Sequence, residues 1–300
     1  MTQHVSGRTP DRWAIDGTLL LRAFQGERQF PVDVETLATK WSKQLQPDAP
    51  ITRISERPLV GFEGALVDGR SKGKGWGIAY AQSITSDGRR RFTIAHELGH
   101  FLLHRDQAPD GGFQCSQEDM GRWDYENGQQ EAEANRFAAR LLMPLDDFRE
   151  RVPPQELVTL QLIGDLAADR YGVSLMAAVL QWLDFTTRRV VFVCSKDGFV
   201  LWAKSSTPAW KSGAFIRTRS GPAFEVPEAS PIRSHSPFEG ARAEVRHRAG
   251  VWFDEPVHEE AIVSDRFELG LSLLHLDGVG STDALCEDAA PDAFELMRAS

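Results

Sequence analysis

Cysteine is scarce in this 300-residue chain: three residues, Cys115, Cys194 and Cys286, far apart and odd in number. That excludes a disulfide framework, and the lack of any CxxC pair excludes the common thiolate zinc sites. No apolar run approaches the roughly 20 residues that a membrane helix needs. The opening residues, MTQHVSGRTPDRW, lack the continuous apolar core and cleavage pattern of a secretory signal, so the expected location is the cytoplasm. A basic excess is missing too. The formal net charge is −9, which argues against a broad electrostatic footprint on nucleic acid. Internal repeats and low-complexity segments are absent. What remains, at 41% hydrophobic and 26% charged residues, is the composition of an ordinary globular protein. It is long enough for one large domain or two modest ones.

The most informative segment is RRRFTIAHELGHFLLHR, residues 89–105. His96, Glu97 and His100 stand in HExxH spacing. On a helix, residues four apart share a face, so both imidazoles can reach one point, while Glu97 is turned by about 100° and sits beside that point. Two neutral nitrogen ligands and a nearby base are what zinc-assisted hydrolysis needs. The rest of the segment (Phe92, Ile94, Ala95, Leu98, Phe101, Leu102, Leu103) is apolar almost all round, so the helix is expected to be buried. Burying two His and a Glu without a purpose is costly. Gly99, a poor helix former, suggests close approach of another backbone or a substrate. Leu103 and Asp106 stand where a metzincin would have Gly and His, which excludes that class. His104, a further four residues on, drifts round the face and too far along the axis to share a metal with His96; a hydrogen-bonding or packing role is expected.

A catalytic zinc takes three protein ligands. QQEAEANRFAARLLMP, residues 129–144, has Ala134, Phe137, Ala138, Leu141 and Leu142 at helical spacing and is broken by Pro144. Glu131 and Asn135 are four apart and share a face. Spacing alone leaves Glu131 open as either a third ligand or an ordinary surface Glu. Glu133 faces elsewhere and reads as a solvated charge. Cys115 lies between the two motifs; its position offers it as a regulatory ligand, with an inert thiol as the default reading.

Taken together, HELGH preceded by a basic, aromatic run and ExEANRFAARLLMP about thirty residues later resemble the ImmA/IrrE family of zinc metallopeptidases. The resemblance spans roughly residues 32–185. It implies that His96, His100 and Glu131 hold Zn2+, that Glu97 is the catalytic base, and that Asn135 is hydrogen-bonded to a ligand. It also implies an α+β fold: a zincin-like core with helices packed on a small mixed sheet. The family acts on helix-turn-helix repressors in stress-response or mobile-element circuits. No helix-turn-helix domain is read ahead of the core here, so the expected partner is a separate repressor protein, with no direct nucleic-acid contact and no membrane.

The expected organisation is an N-terminal extension over 1–30 with a short helix at 16–24, a metallopeptidase domain over 31–185, and a smaller β-rich C-terminal domain over 186–300. Within the core, Asp33 caps a helix with Val34, Leu37, Ala38, Trp41 and Leu45 on one face. Residues 51–67 read as strand, turn, strand, and WGIAYA (76–81) as the strand that forms the edge holding a substrate backbone. Residues 106–128 read as a loop over the site, anchored by Trp123 and Tyr125. Residues 155–170 and GVSLMAAVLQWLDF read as two helices. The second is too apolar to read DNA and packs on the core. Arg89, Arg90 and Arg91 read as solvated surface. Lys196–Asp197–Gly198 signals a hairpin. EVRHRAGVWFDEP and EEAIVSDRFELGLSLLHL read as further strands, His235, His247, His258 and His275 as structural, and 277–300 as an acidic tail. The function expected is cytoplasmic zinc-dependent endopeptidase activity. The competing expectation is a non-catalytic zinc-binding regulatory module, against which Glu97 argues.

Overall fold

The computed structural model describes residues 7–26, 30–115, 128–218, 222–233, 242–264 and 269–276. The architecture is α+β, with two sheets and a β-rich C-terminal region after the helical core. Two compact units divide the chain: Met1–Arg151 with Gln161–Gln181, and Val152–Leu160 with Trp182–Ser300.

The first unit opens with α1, Pro10–Gln25, which is longer than the 16–24 stretch expected. The missed signal was the start: Thr9 caps the helix by accepting from the Arg12 N–H, and Pro10 occupies the first turn, where its missing N–H costs nothing. This helix is no bare leader. Trp13 is buried and meets Trp41 edge-on, with ring centroids 5.5 Å apart. Asp11 accepts from Arg136 at 2.8 Å and Arg140 at 3.0 Å. The next helix, α2, spans Val34–Leu45; its Asp33 cap accepts from the Thr36 N–H, and it buries Val34, Leu37, Ala38 and Trp41 as its periodicity requires.

Strands β1 (Ile51–Arg57), β2 (Gly64–Asp68) and β3 (Trp76–Ala81) fall where the text put them. Their order differs from expectation. The sheet runs β1-β3-β2-β4, with β4 at Gly112–Cys115, and β1 and β3 are parallel while the other pairs are antiparallel. Thus β3 is interior, and among the described residues β4 is the outer strand beside β2. The segment expected to be loop contributes this strand, although 116–127, with Trp123 and Tyr125, lies outside the described residues. Four residues carry too little periodicity to announce a strand; pairing with β2 makes it one. Gly112, at φ +104°, lies against the Leu66 carbonyl where any side chain would collide.

Helix α3, Asp87–Leu103, carries the HExxH motif and is capped by Ser86. Helix α4, Gln129–Leu142, carries the second motif. They pack closely at Gly99, where an added Cβ would stand 3.1 Å from the Ala134 Cα. Gly99 therefore serves helix-helix approach. Helix α5 is Leu145–Arg151. The helix expected over 155–170 begins only at Leu160: α6 is Leu160–Asp165, followed by a wider π turn at Leu166–Tyr171 that Gly172 ends in the left-handed conformation. The Pro153–Pro154 turn holds the preceding residues out of helix through the Glu156 N–H to Pro153 carbonyl bond, 3.1 Å. In α7, Leu175–Leu183, every residue from Ala178 on is buried.

The second unit holds β5 (Val190–Lys196), β6 (Phe199–Ser205), the short α8 (Thr207–Lys211), β7 (Arg242–His247), β8 (Val257–Ser264) and β9 (Leu269–Leu276). They form an antiparallel sheet in the order β6-β5-β9-β8-β7. The β5–β6 hairpin turns at Asp197 and Gly198, both at positive φ, as the Lys-Asp-Gly signal requires. GVWFDEP is not strand: β7 stops at His247, and a tight turn closed by the Gly250 N–H and Phe253 carbonyl follows. The fully buried Glu259 accepts from Ser230 Oγ (2.7 Å), His247 Nε2 (2.7 Å), Trp252 Nε1 (2.9 Å) and Ser272 Oγ (2.5 Å). Four donors let one carboxylate be buried without loss. Residue His235 and the stretch 277–300 lie outside the described residues.

Candidate metal centre

The two helices bring the motif residues to one place. His96 Nε2 and His100 Nε2 are 3.0 Å apart. Glu131 reaches across from α4, with Oε2 3.1 Å from His96 Nε2 and Oε1 3.3 Å from His100 Nε2. Two nitrogens on one tetrahedral zinc, each at about 2.0–2.1 Å, would be about 3.3 Å apart, and a nitrogen and a carboxylate oxygen about 3.4 Å. The observed separations fit a shared ion to within a few tenths of an ångström.

The hydrogen bonds behind the rings aim the lone pairs. His96 Nδ1 lies 2.9 Å from Asn135 Oδ1. With the amide so oriented, Nδ1–H donates and Nε2 keeps its lone pair for the centre. His100 is set by a longer chain. Glu133 Oε2 lies 2.9 Å from His104 Nε2, and a carboxylate can only accept, so His104 carries its proton there. His104 Nδ1 then accepts from His100 Nδ1–H, 3.1 Å away, leaving His100 Nε2 free. His104 plays the hydrogen-bonding part expected of it. Glu133 does not stand as a mere solvated charge: its partner comes from another helix, which helix spacing alone cannot show. Such outer bonds fix the orientation and raise the basicity of ligating imidazoles. Phe113 of β4 adds a stacking face for His100, with centroids 4.5 Å apart and planes 20° off parallel.

The titrating groups are tuned accordingly. Burial drives the His100 imidazole down to about 4, so it is neutral near pH 7. Burial also opposes the charged form of His96, but Glu131 and Glu97 outweigh it and its pKa rises. In Glu131, burial raises the pKa and the His100 and His96 bonds more than reverse it, leaving a carboxylate well below the usual range. Glu97 is wholly buried at the side of the cluster. Burial pushes its carboxyl up to about 7, with His96, the Cys115 thiol and the Leu66 N–H pulling the other way. Neither oxygen makes a hydrogen bond of ordinary geometry. A buried carboxylate held so weakly awaits a proton or a better donor. It has room because β2 passes with Gly64: any Cβ there would collide with Glu97 Oε1 and stand 2.7 Å from Thr93 Cγ2.

A residue read as inert joins the cluster. Cys115, the last residue of β4, is buried with Sγ 3.5 Å from His100 Nε2. His96, His100, Cys115 and Glu131 each offer a donor atom, and all four atoms lie within 4.8 Å of one another. This His-His-Cys-Glu cluster can hold a metal ion. The arginines before the motif are engaged with protein: Arg89 pairs with Glu63, Arg90 with Asp87 at 3.1 Å, and Arg91 donates to the Gly172 carbonyl at 2.9 Å.

A family model for the IrrE N-terminal-like domain, Peptidase M78, matches residues 48–182. The chain carries an IrrE N-terminal-like domain. That M78 domain takes in the first sheet, α3 and α4, and hence every donor of the cluster. Among solved structures, a Mycobacterium tuberculosis transcriptional regulator is similar at 14% identity and a TM-score of 0.55, over 89% of this chain and 75% of that one. At such identity the likeness concerns the fold alone. No curated protein matches the chain. Among the described residues, no helix is long and apolar enough to cross a membrane.

Proposed function

We propose that the chain is a zinc-dependent endopeptidase acting on a specific cytoplasmic protein, a separate helix-turn-helix repressor in a stress-response or mobile-element circuit. The observation that carries the hydrolytic reading is the pairing of three aimed donors with a buried, unpartnered carboxylate. His96, His100 and Glu131 would hold the metal, and imidazole, carboxylate and thiol donors together suit zinc better than magnesium or calcium. Zinc in such a set supplies Lewis acidity, polarising a carbonyl and acidifying water. Glu97 takes the proton of the attacking water and returns it to the leaving amine, the part that a buried carboxylate beside the metal is placed for. Asn135, and His104 with Glu133, hold the two imidazoles in their ligating tautomers. The outer strand β4 offers an edge on which a substrate backbone can pair. The helix-turn-helix substrate rests on the family resemblance.

The non-catalytic reading has one observation in its favour: four donors, the number a structural zinc site takes. Glu97 weighs against it, because a structural site has no use for a fifth, unpartnered carboxylate. Metal analysis of wild type beside His96→Ala, Glu131→Ala and Glu97→Gln tests the assignment. About one zinc per chain is expected in wild type and Glu97→Gln and is lost in the other two, while cleavage of the repressor is lost in all three. Retained cleavage in Glu97→Gln refutes the mechanism.

A further inference from the structure

We propose that Cys115 is the fourth ligand of this metal centre, its thiolate filling the place that water and substrate must take, so that the folded peptidase is closed until the sulfur is displaced. The inference rests on the metallopeptidase reading above and specifies how that site is regulated.

Distance is the first support. A sulfur at about 2.3 Å and a nitrogen at about 2.0–2.1 Å on one tetrahedral ion are about 3.6 Å apart. Cys115 Sγ and His100 Nε2 are 3.5 Å apart, and Sγ lies within 4.8 Å of the donors of His96 and Glu131 as well. The second support is how the sulfur is delivered. In β4, Phe113 and Cys115 are two apart and point to one face of the sheet; Phe113 spends that direction on the His100 ring, so Cys115 must face the same helix. Register fixes the depth: Cys115 pairs with Gly64, and the Glu63 N–H donates to the Cys115 carbonyl at 2.9 Å. The third support is Glu97. Its carboxylate is fully buried beside the thiol, and neither oxygen makes a hydrogen bond of ordinary geometry. The group that would serve as base thus stands beside the coordination position the sulfur would fill.

Cys194 shows what an inert thiol looks like in the same chain. It lies in β5 among Val193, Phe192 and other buried apolar side chains, and among the described residues it belongs to no metal-binding cluster. Cys115 instead faces two imidazoles and two carboxylates. A closed set of three ordinary peptidase ligands plus a thiolate explains how four donors and a catalytic carboxylate can coexist. The site is structural in count while the sulfur is bound and catalytic once it leaves.

The test uses the full-length protein loaded with cobalt(II) or zinc. Cobalt-loaded wild type is expected to show thiolate-to-cobalt charge-transfer absorption, absent from Cys115→Ala and Cys115→Ser. Both variants should bind zinc more weakly by at least about tenfold, since even outer-sphere partners are worth that much. Zinc-edge X-ray absorption of unmodified wild type needs no variant and guards against a misfolded one; one sulfur at about 2.3 Å is expected beside nitrogen and oxygen. Metal bound with a wholly nitrogen-oxygen shell and no charge-transfer band overturns the role of Cys115 while leaving the peptidase reading intact. Wild type that binds no metal overturns both.

Discussion

Replacing Gly64 with alanine is the most direct probe of how the buried carboxylate of Glu97 is housed. The new Cβ would collide with Glu97 Oε1 and stand 2.7 Å from Thr93 Cγ2 and 3.2 Å from Glu97 Cδ. Ordinary contact begins at about 3.5 Å, so strand β2 or the side chain of Glu97 must move. Glu97 is wholly buried and has nowhere to swing. Overpacking of this kind costs about 1–3 kcal/mol. At about 2–4 °C per kcal/mol for a protein of this size, the melting temperature should fall by roughly 2–12 °C. Gly99→Ala is the control. Its Cβ would meet Ala134 Cα and Phe137 Cδ1 at 3.1 Å, a milder overlap, and gains about 0.8–1.0 kcal/mol of helix propensity, so the net change should be small. Thermal unfolding of the metal-free proteins provides the assay, run also in a Glu97→Ala background. There the Glu97 obstacle is gone while Thr93 Cγ2 remains, and Gly64→Ala should cost less by on the order of 1 kcal/mol, a coupling of the size expected for touching residues. An equal cost in both backgrounds would show that Gly64 does not make the room for Glu97, and the argument from the empty Cβ position would fail.

Three other outcomes follow from the same geometry. His104→Ala should weaken zinc binding by about 10–100-fold without removing a ligand, because it unfixes the His100 tautomer; chelator competition reads this, and an unchanged affinity rules out the relay through Glu133. Removing metal with a chelator should lower the melting temperature, since an ion at a hundred times its Kd stabilises by about 2.7 kcal/mol, and His96→Ala should be insensitive to the treatment in a scanning calorimeter. In the second unit, burial raises the Glu260 pKa, but His275, with its Nε2 3.6 Å away, and the Leu160 N–H outweigh it and hold the carboxyl below its ordinary value. A depressed carboxylate contributes stability that is complete above the unfolded-state pKa of about 4.3 and lost as pH falls through the folded value. Denaturant titrations should therefore show wild type exceeding Glu260→Gln by a margin that shrinks on acidification; a margin that grows in acid would reverse the sign assigned to this group.

Most of the centre was legible because its donors obey helix spacing. His96 and His100 sit four apart on α3, and Glu131 and Asn135 repeat that interval on α4, which faces each pair one way but left Glu131 open until the family resemblance pointed to it. What spacing could not supply was anything arriving through a long-range strand pairing. Cys115 reaches the donors only because β4 pairs with β2 in the register that sets it opposite Gly64, about fifty positions earlier. Strand order is equally non-local, which is why β3, adjacent to α3 in the text, was expected at the edge yet lies inside the sheet. Glu133 differs for a related reason: its own helix supplies only Gln129, at 2.8 Å, and the partner that ties it to the centre, His104, follows the other motif helix. The early part of α1 is different. Thr9, Pro10 and Asp11 spelled a capped helix start that was readable and was passed over.

On the proposed peptidase reading, pairing along β4 limits what can be cut. The strand's four residues cover about 13 Å, so a chain pairing along it must itself be extended over a comparable stretch. Four residues of a helix span only about 6 Å, and their backbone groups are already bonded to one another. A helical substrate therefore has to melt locally before it can be read. On that reading the rate of cleavage would follow how often the target segment opens, and whatever holds that segment folded would protect it as surely as an inhibitor would.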